Sequence, residues 1–290
     1  MVLQLKPVFM SSPTTRIFFV IVLICACVRI SSAQLAKVSF EHTKHELPQY
    51  LADVLSEEDR DLFTRLLNIN IESAWGYMRN HGYPYSFTNA VEPVADDMRL
   101  VGRARTGRYL PFRQDLVDEY KSLQLNYRSA EDAQPGEVIV FDLGGDTGSS
   151  PSGDVTSVRA MVNGCSGIIV NGAMRDVPAF ISMGMPLFTK DGKGHAGAVR
   201  PGLTSWDYQT PVQIGDVTIV PGDYIVGAIH GILVIPAHMV EEVLEYAEHH
   251  TIREDFQRDL LLEGRSMIGV YPPNEETLKA FEEHLEKMEK

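Results

Sequence analysis

The chain of 290 residues is 44% hydrophobic and 22% charged, which excludes intrinsic disorder, a collagen-like repeat and a disulfide-rich mini-protein. Its 39 acidic residues outnumber 26 basic ones, for a formal net charge of −13. A nucleic-acid backbone would be repelled by that field, so no nucleic-acid partner is expected.

Residues 17–28 (IFFVIVLICACV) form an uninterrupted apolar run, shorter than the roughly 20 residues a membrane-spanning helix needs. With Lys6 and Arg16 before it and Ser31-Ser32-Ala33 after it, the segment has the layout of a secretory signal peptide cleaved before Gln34. The expected product is exported, periplasmic or secreted, with no stable membrane anchor after cleavage. An uncleaved anchor and lipidation at Cys27 are the alternatives. Cleavage would remove Lys6, Arg16 and Arg29 and no acid, and would leave Cys165 as the single cysteine, so no intramolecular disulfide can form.

From residue 48 to about 80, Leu51, Val54, Leu55, Leu62, Leu66 and Leu67 recur at three- and four-residue steps, which predicts a helical layer. A Gly/Pro/Tyr-rich passage (81–86) ends it, and the sheet is expected to begin near residue 100. Residues 137–143 (EVIVFDL) read as a strand covered on both faces, followed by a glycine-rich turn at 144–153. Val155, Val158, Met161 and Val162 then fall at helical spacing, Gly164 stops the helix, and residues 167–170 (GIIV) give a second buried strand. Such a strand–helix–strand unit implies two parallel strands. Short strands follow at 217–220, 224–229 and 232–236, then a helix from about 237 to 262 and a charged helix in the tail. The domain reading is a signal peptide (1–33), an N-terminal helical layer (34–99), an α/β core (100–236) and a C-terminal helical extension (237–290).

In an open parallel sheet, ligands collect beyond the carboxyl ends of the strands. Gly153-Asp154 lies at the end of the glycine-rich turn, where free N–H groups favour an anion, and Arg175-Asp176 lies just after the next strand. A helix plus a strand separates the two, so the fold returns them to one rim. A guanidinium can grip a carboxylate in two places, and an aspartate beside it can hold Mg²⁺ with water retained. That combination suits a 2-oxo acid whose C–C bond breaks to leave an enolate. A surface Arg–Asp pair and a helix-capping Asp154 are the plain alternative.

The run GGDTGSSPSGD, the helix, and then GCSGIIVNGAMRD resemble the RraA-like family, which includes class II 4-hydroxy-4-methyl-2-oxoglutarate/4-carboxy-4-hydroxy-2-oxoadipate aldolases and regulators of RNase E. The similarity runs from about residue 101 to 223 and, more weakly, into 264–273. It implies a swivelling β/β/α fold of the α/β class, with a mixed sheet, an N-terminal helical layer and C-terminal helices. It also implies a lyase that cleaves 4-hydroxy-2-oxo acids to pyruvate and extends to oxaloacetate decarboxylation. By this resemblance Gly153, Asp154, Val155 and Thr156 line the substrate, Arg175 binds its pyruvyl end, and Asp176 ligates Mg²⁺ or Mn²⁺. Asp154 acts through water, and Glu254, with Glu248 as the fallback, is the base supplied to a neighbouring subunit of a homotrimer or homohexamer. The pattern departs from the family at Ala228-Ile229-His230-Gly231, where acids usually precede the glycine, and in the long loop 191–202. A non-catalytic, partner-binding role is the first alternative. A methyltransferase reading of VIVFDLGGDTG is weaker, since Ser149-Ser150-Pro151-Ser152 prolongs the loop where a helix should start.

Other candidates carry less. His195 and His230 are not at metal-ligand spacing. Ser149, Ser150 and Ser152 lack the nucleophile elbow of a serine hydrolase. Cys165 precedes a buried strand and reads as packing.

Overall fold

The computed structural model describes residues 43–116, 123–190 and 203–288. The signal segment, His195 and the whole of the long loop 191–202 lie outside these residues. Among them, no helix is long and apolar enough to cross a membrane.

The helical pattern of residues 48–80 resolves into three helices: α1 (Gln49–Ala52), α2 (Glu57–Leu67) and α3 (Ile71–Asn80). The breaks have local causes. Ser56 caps α2 by accepting from the Asp59 amide at 3.0 Å, and Asn70 caps α3 by accepting from the Ser73 amide at 2.9 Å. Their apolar sides bury Phe63, Leu66, Leu67, Ile71, Ala74 and Met78.

The remaining elements alternate: β1 (Phe87–Thr88), β2 (Glu92–Pro93), β3 (Leu100–Pro111), α4 (Leu125–Glu131), β4 (Glu137–Asp146), α5 (Asp154–Val162), β5 (Gly167–Gly172), α6 (Val177–Met183) and β6 (Leu187–Thr189). Then come β7 (Leu203–Tyr208), the hairpin β8 (Val212–Ile214) and β9 (Val217–Ile219), the hairpin β10 (Tyr224–Ala228) and β11 (Gly231–Ile235), and α7 (Val240–Leu262). Among the described residues, nine strands form one mixed sheet in the order β1-β11-β10-β3-β4-β5-β6-β2, with β7 pairing β3. The expected parallel pair is present, β4 beside β5, flanked by parallel β3 and β6. The sheet begins earlier than residue 100: β1 and β2 join its two ends, as two-residue pieces too short to carry any alternation.

Alternation along the central strands divides the core into two layers. Ile139, Phe141, Ile168 and Val170 face α4, α5 and α6, while Val138, Val140 and Ile169 face the β8–β9 hairpin. The N-terminal helices pack with β10, β11 and the start of α7 in a third cluster. Phe63 joins α2 to this cluster. It is fully buried, meets Tyr224 edge to face at 6.2 Å between ring centres, and carries the Arg103 guanidinium 5.4 Å from its centre. Phe63→Ala is expected to cost about 3–5 kcal/mol, read as a lower denaturant midpoint. A shift below about 1 kcal/mol would mean that the helical layer adds little to the core.

Residues 255–288 belong to a separate compact unit that includes α8 (Glu275–Met288). Within it, the rings of Phe256 and Phe281 meet at a tilt, 5.6 Å between centres, and Asn274 caps α8 by accepting from the Thr277 amide at 2.9 Å.

Candidate active site

Two strand-to-helix turns, β4–α5 and β5–α6, bring Gly153, Asp154, Arg175 and Asp176 to one corner. The closest approach is at Gly153. A Cβ on that residue would lie 2.5 Å from Arg175 Nε and 2.6 Å from Asp176 Oδ2, so only glycine fits beneath the pair. The Asp154 amide, at the start of α5, donates to Asp176 Oδ2 at 3.3 Å, and Arg175 Nε stands 3.3 Å from the same oxygen. Both side chains of the Arg175–Asp176 pair are 39% exposed, so the corner opens to solvent.

Asp176 has φ +63°, a left-handed conformation unusual for a residue with a side chain. It occupies the N-cap position of α6 without capping it. Its carboxylate turns instead to the other helix, at the N-terminus of α5, where the macrodipole favours negative charge. Arg175 is held from behind: its amide donates to Ser150 Oγ at 3.0 Å, and that buried hydroxyl donates to the Ser152 carbonyl at 2.7 Å. The Arg175 Nε itself is buried and makes no hydrogen bond among the described residues, because the short contact to Asp176 is poorly aligned. A guanidinium in that condition can accept a further anionic partner.

Val155 and Thr156 complete the turn. The Val155 amide donates to Asp154 Oδ1 at 2.8 Å, which fixes that carboxylate at the helix start. The Thr156 hydroxyl is engaged with the Gly153 carbonyl and with the Ser152 hydroxyl, so it serves the cap of α5. The helix lies where its spacing predicts, but it buries Ser157 and Ala160. Of the apolar residues that announce it, Val155, Val158 and Val162 are 80%, 45% and 66% exposed, while Met161 is partly buried against the core.

No group of three or more His, Cys, Asp or Glu side chains able to hold a metal is present among the described residues. The corner offers two carboxylates, Asp154 and Asp176. That donor set does not suit a structural zinc site, but it fits a hard cation such as Mg²⁺, which commonly binds one or two carboxylates and keeps several waters.

Glu254 is not brought to this corner within the chain. It stands on α7 with its Oε1 3.8 Å from His250 Nδ1, and His250 also contacts Ser73 Oγ at 3.0 Å. Burial lowers the pKa of His250, against the raising influence of Glu254. Glu248 is engaged elsewhere: Arg65 grips it at both oxygens, at 2.9 and 2.8 Å, tying α2 to α7. Cys165 is fully buried, and burial pushes its thiol up to about 11. It is expected to resist thiol reagents at pH 8 until denaturant exposes it. Peptide mapping that found it labelled in the folded protein would contradict this burial.

The model of the RraA-like family (Aldolase/RraA) matches residues 53–234, which contain every part of this corner. The chain belongs to the RraA-like family. It is 32% identical over 186 residues to a Halalkalibacterium halodurans protein named "Putative 4-hydroxy-4-methyl-2-oxoglutarate aldolase", covering 64% of this chain and 83% of that one. Streptomyces coelicolor RraAS2, described as an unusual member of the RNase ES inhibitor RraA family, superposes with a TM-score of 0.61 at 26% identity, over 71% of this chain and 98% of its own. An uncharacterized Pseudomonas syringae protein gives a TM-score of 0.64 at 20% identity, over 81% and 98% of the two chains, and shares the fold.

Proposed function

We propose that this RraA-like protein is a divalent-metal-dependent lyase that cleaves 4-hydroxy-2-oxo acids, such as 4-hydroxy-4-methyl-2-oxoglutarate, to pyruvate. Oxaloacetate decarboxylation belongs to the same reading, since both reactions leave the pyruvate skeleton with an electron pair at C3. The observation that carries it is the convergence of Arg175, Asp176 and the α5 N-terminus over Gly153. Arg175 holds the 1-carboxylate of the substrate beside the N-terminus of α5, where the macrodipole favours its negative charge. Asp176, assisted by Asp154 through water, holds Mg²⁺ or Mn²⁺. When bound, the cation supplies Lewis-acid polarisation of the 2-oxo group. The C3–C4 bond then breaks: the 4-hydroxyl loses its proton to a base, C4 becomes a carbonyl, and the electron pair at C3 is finally protonated to give pyruvate.

The base is Glu254 of a neighbouring copy, in a homotrimer or homohexamer. Supporting that assembly, the Val155, Val158 and Val162 stripe lies exposed on α5 beside the corner, an apolar surface that a second copy would cover. The protein works after export, behind the signal peptide of residues 1–33.

The test is a coupled pyruvate assay on 4-hydroxy-2-oxo acids and oxaloacetate, with and without chelator. Turnover that needs Mg²⁺ or Mn²⁺ supports the lyase. Absent turnover, together with no calorimetric binding of divalent ion or 2-oxo acid, favours a partner-binding role.

A further inference from the structure

A second group of polar side chains lies at the same end of the sheet but on its other face. Arg108 on β3 pairs in register with Asp142 on β4, and Asp142 with Asn171 on β5. Alternation sends all three toward the face carrying Val138, Val140 and the β8–β9 hairpin, away from the face covered by α5 and α6. A cavity of about 790 Å³ opens there, lined also by Lys190, Gln213 and Glu92. That volume falls within the range of small-molecule sites.

The charges in this cavity are unequally engaged. Asp142 is buried and committed, accepting from Asn171 Nδ2 at 2.8 Å and from the Gly144 amide at 2.9 Å. The two cations are held loosely by what surrounds them among the described residues. Arg108 has Asp207 at 3.9 Å, both of them well exposed, and Lys190 donates to the Gly145 carbonyl at 3.3 Å. Gly145, at φ +80°, lets the lysine lie across the turn, where a Cβ would stand 3.1 Å from its Nζ. The polar groups opposite are mainly acceptors. The Asn171 and Gln213 amide nitrogens already donate to backbone carbonyls or to Asp142, which leaves their oxygens, with Glu92, to receive hydroxyl groups.

Two loosely held cations beside three acceptors select a ligand that is both anionic and hydroxylated. We propose that this cavity is a second small-molecule site, separate from the Arg175–Asp176 corner, that binds a polyhydroxylated anion of the sugar acid or sugar phosphate class. The proposal is independent of the lyase reading.

Calorimetric titration of the full chain with D-gluconate and with glucose 6-phosphate tests it, with sorbitol and sulfate as probes that each carry half of the chemistry. At least one of the two hydroxylated anions is expected to saturate, and the stronger of them identifies carboxylate or phosphate as the preferred group. Affinity should fall at least about tenfold in Arg108→Ala/Lys190→Ala and stay within about twofold in Arg175→Ala/Asp176→Ala. Should the double variant fail to fold, Lys190→Gln, which loses only the charge, is expected to weaken binding at least about threefold. The proposal is overturned if neither hydroxylated anion saturates at millimolar concentration, or if sulfate or sorbitol alone binds as tightly. It is also overturned if loss follows the Arg175/Asp176 substitutions instead. A changed sedimentation mass in the cavity variant with no binding by the wild type would assign these residues to a subunit contact and likewise reject it.

Discussion

Arg175→Ala is expected to lower kcat/KM for pyruvate release by about 10²–10³-fold, the usual effect of removing one preorganised charge from a polar site. The guanidinium has few structural duties to confuse the result. It is 39% exposed, and among the described residues its ionic partner is Asp176 and its Nε makes no hydrogen bond. The melting temperature should therefore change by only a few degrees. Arg175→Lys should recover only part of the activity, because an ammonium cannot reproduce the two-pronged grip on a carboxylate. Turnover within about threefold of wild type in Arg175→Ala would remove the guanidinium from the reaction and the lyase reading with it.

Gly153→Ala is expected to match that loss although it alters no functional group. The added methyl would fall 2.5 Å from Arg175 Nε and 2.6 Å from Asp176 Oδ2. Both neighbours are side chains on an open surface, so they can swing aside without disturbing the core, and the fold should survive. What is lost is their mutual placement, and displacements of about 1 Å at a reacting centre cost about 10²-fold. Circular dichroism and melting should stay near wild type while pyruvate release collapses. Full activity in Gly153→Ala would mean that the close approach is not needed.

The strands of the central sheet were legible because they are covered on both faces and so read as nearly continuous apolar runs; EVIVFDL and GIIV become β4 and β5. β1 and β2 were not, because a two-residue strand has no period and is formed only by its partner at the sheet end. The corner itself could be anticipated from the spacing of Asp154 and Arg175-Asp176, since one helix and one strand return the chain to the same rim. The buttress could not. Ser150 lies in a serine-rich loop whose pattern suggests flexibility, and only tertiary structure sets its hydroxyl under the Arg175 amide. Likewise, periodicity reports that Val155, Val158 and Val162 share a face of α5, but it cannot say whether protein or solvent meets that face.

Helix α5 has nine residues, and its two features compete for the same short length. Its first turn belongs to the corner, and its outward valines begin at that very turn with Val155. An inhibitor wide enough to overrun the corner would lie on those valines and so contest the same ground as the second copy proposed to cover them. Conversely, a polar replacement at Val158 or Val162 would pass in a simple screen for a damaged catalytic group while leaving all the reactive chemistry intact. Assaying such variants across a dilution series would tell the two apart, because a weakened association is restored by crowding the chains together and a missing reactive group is not.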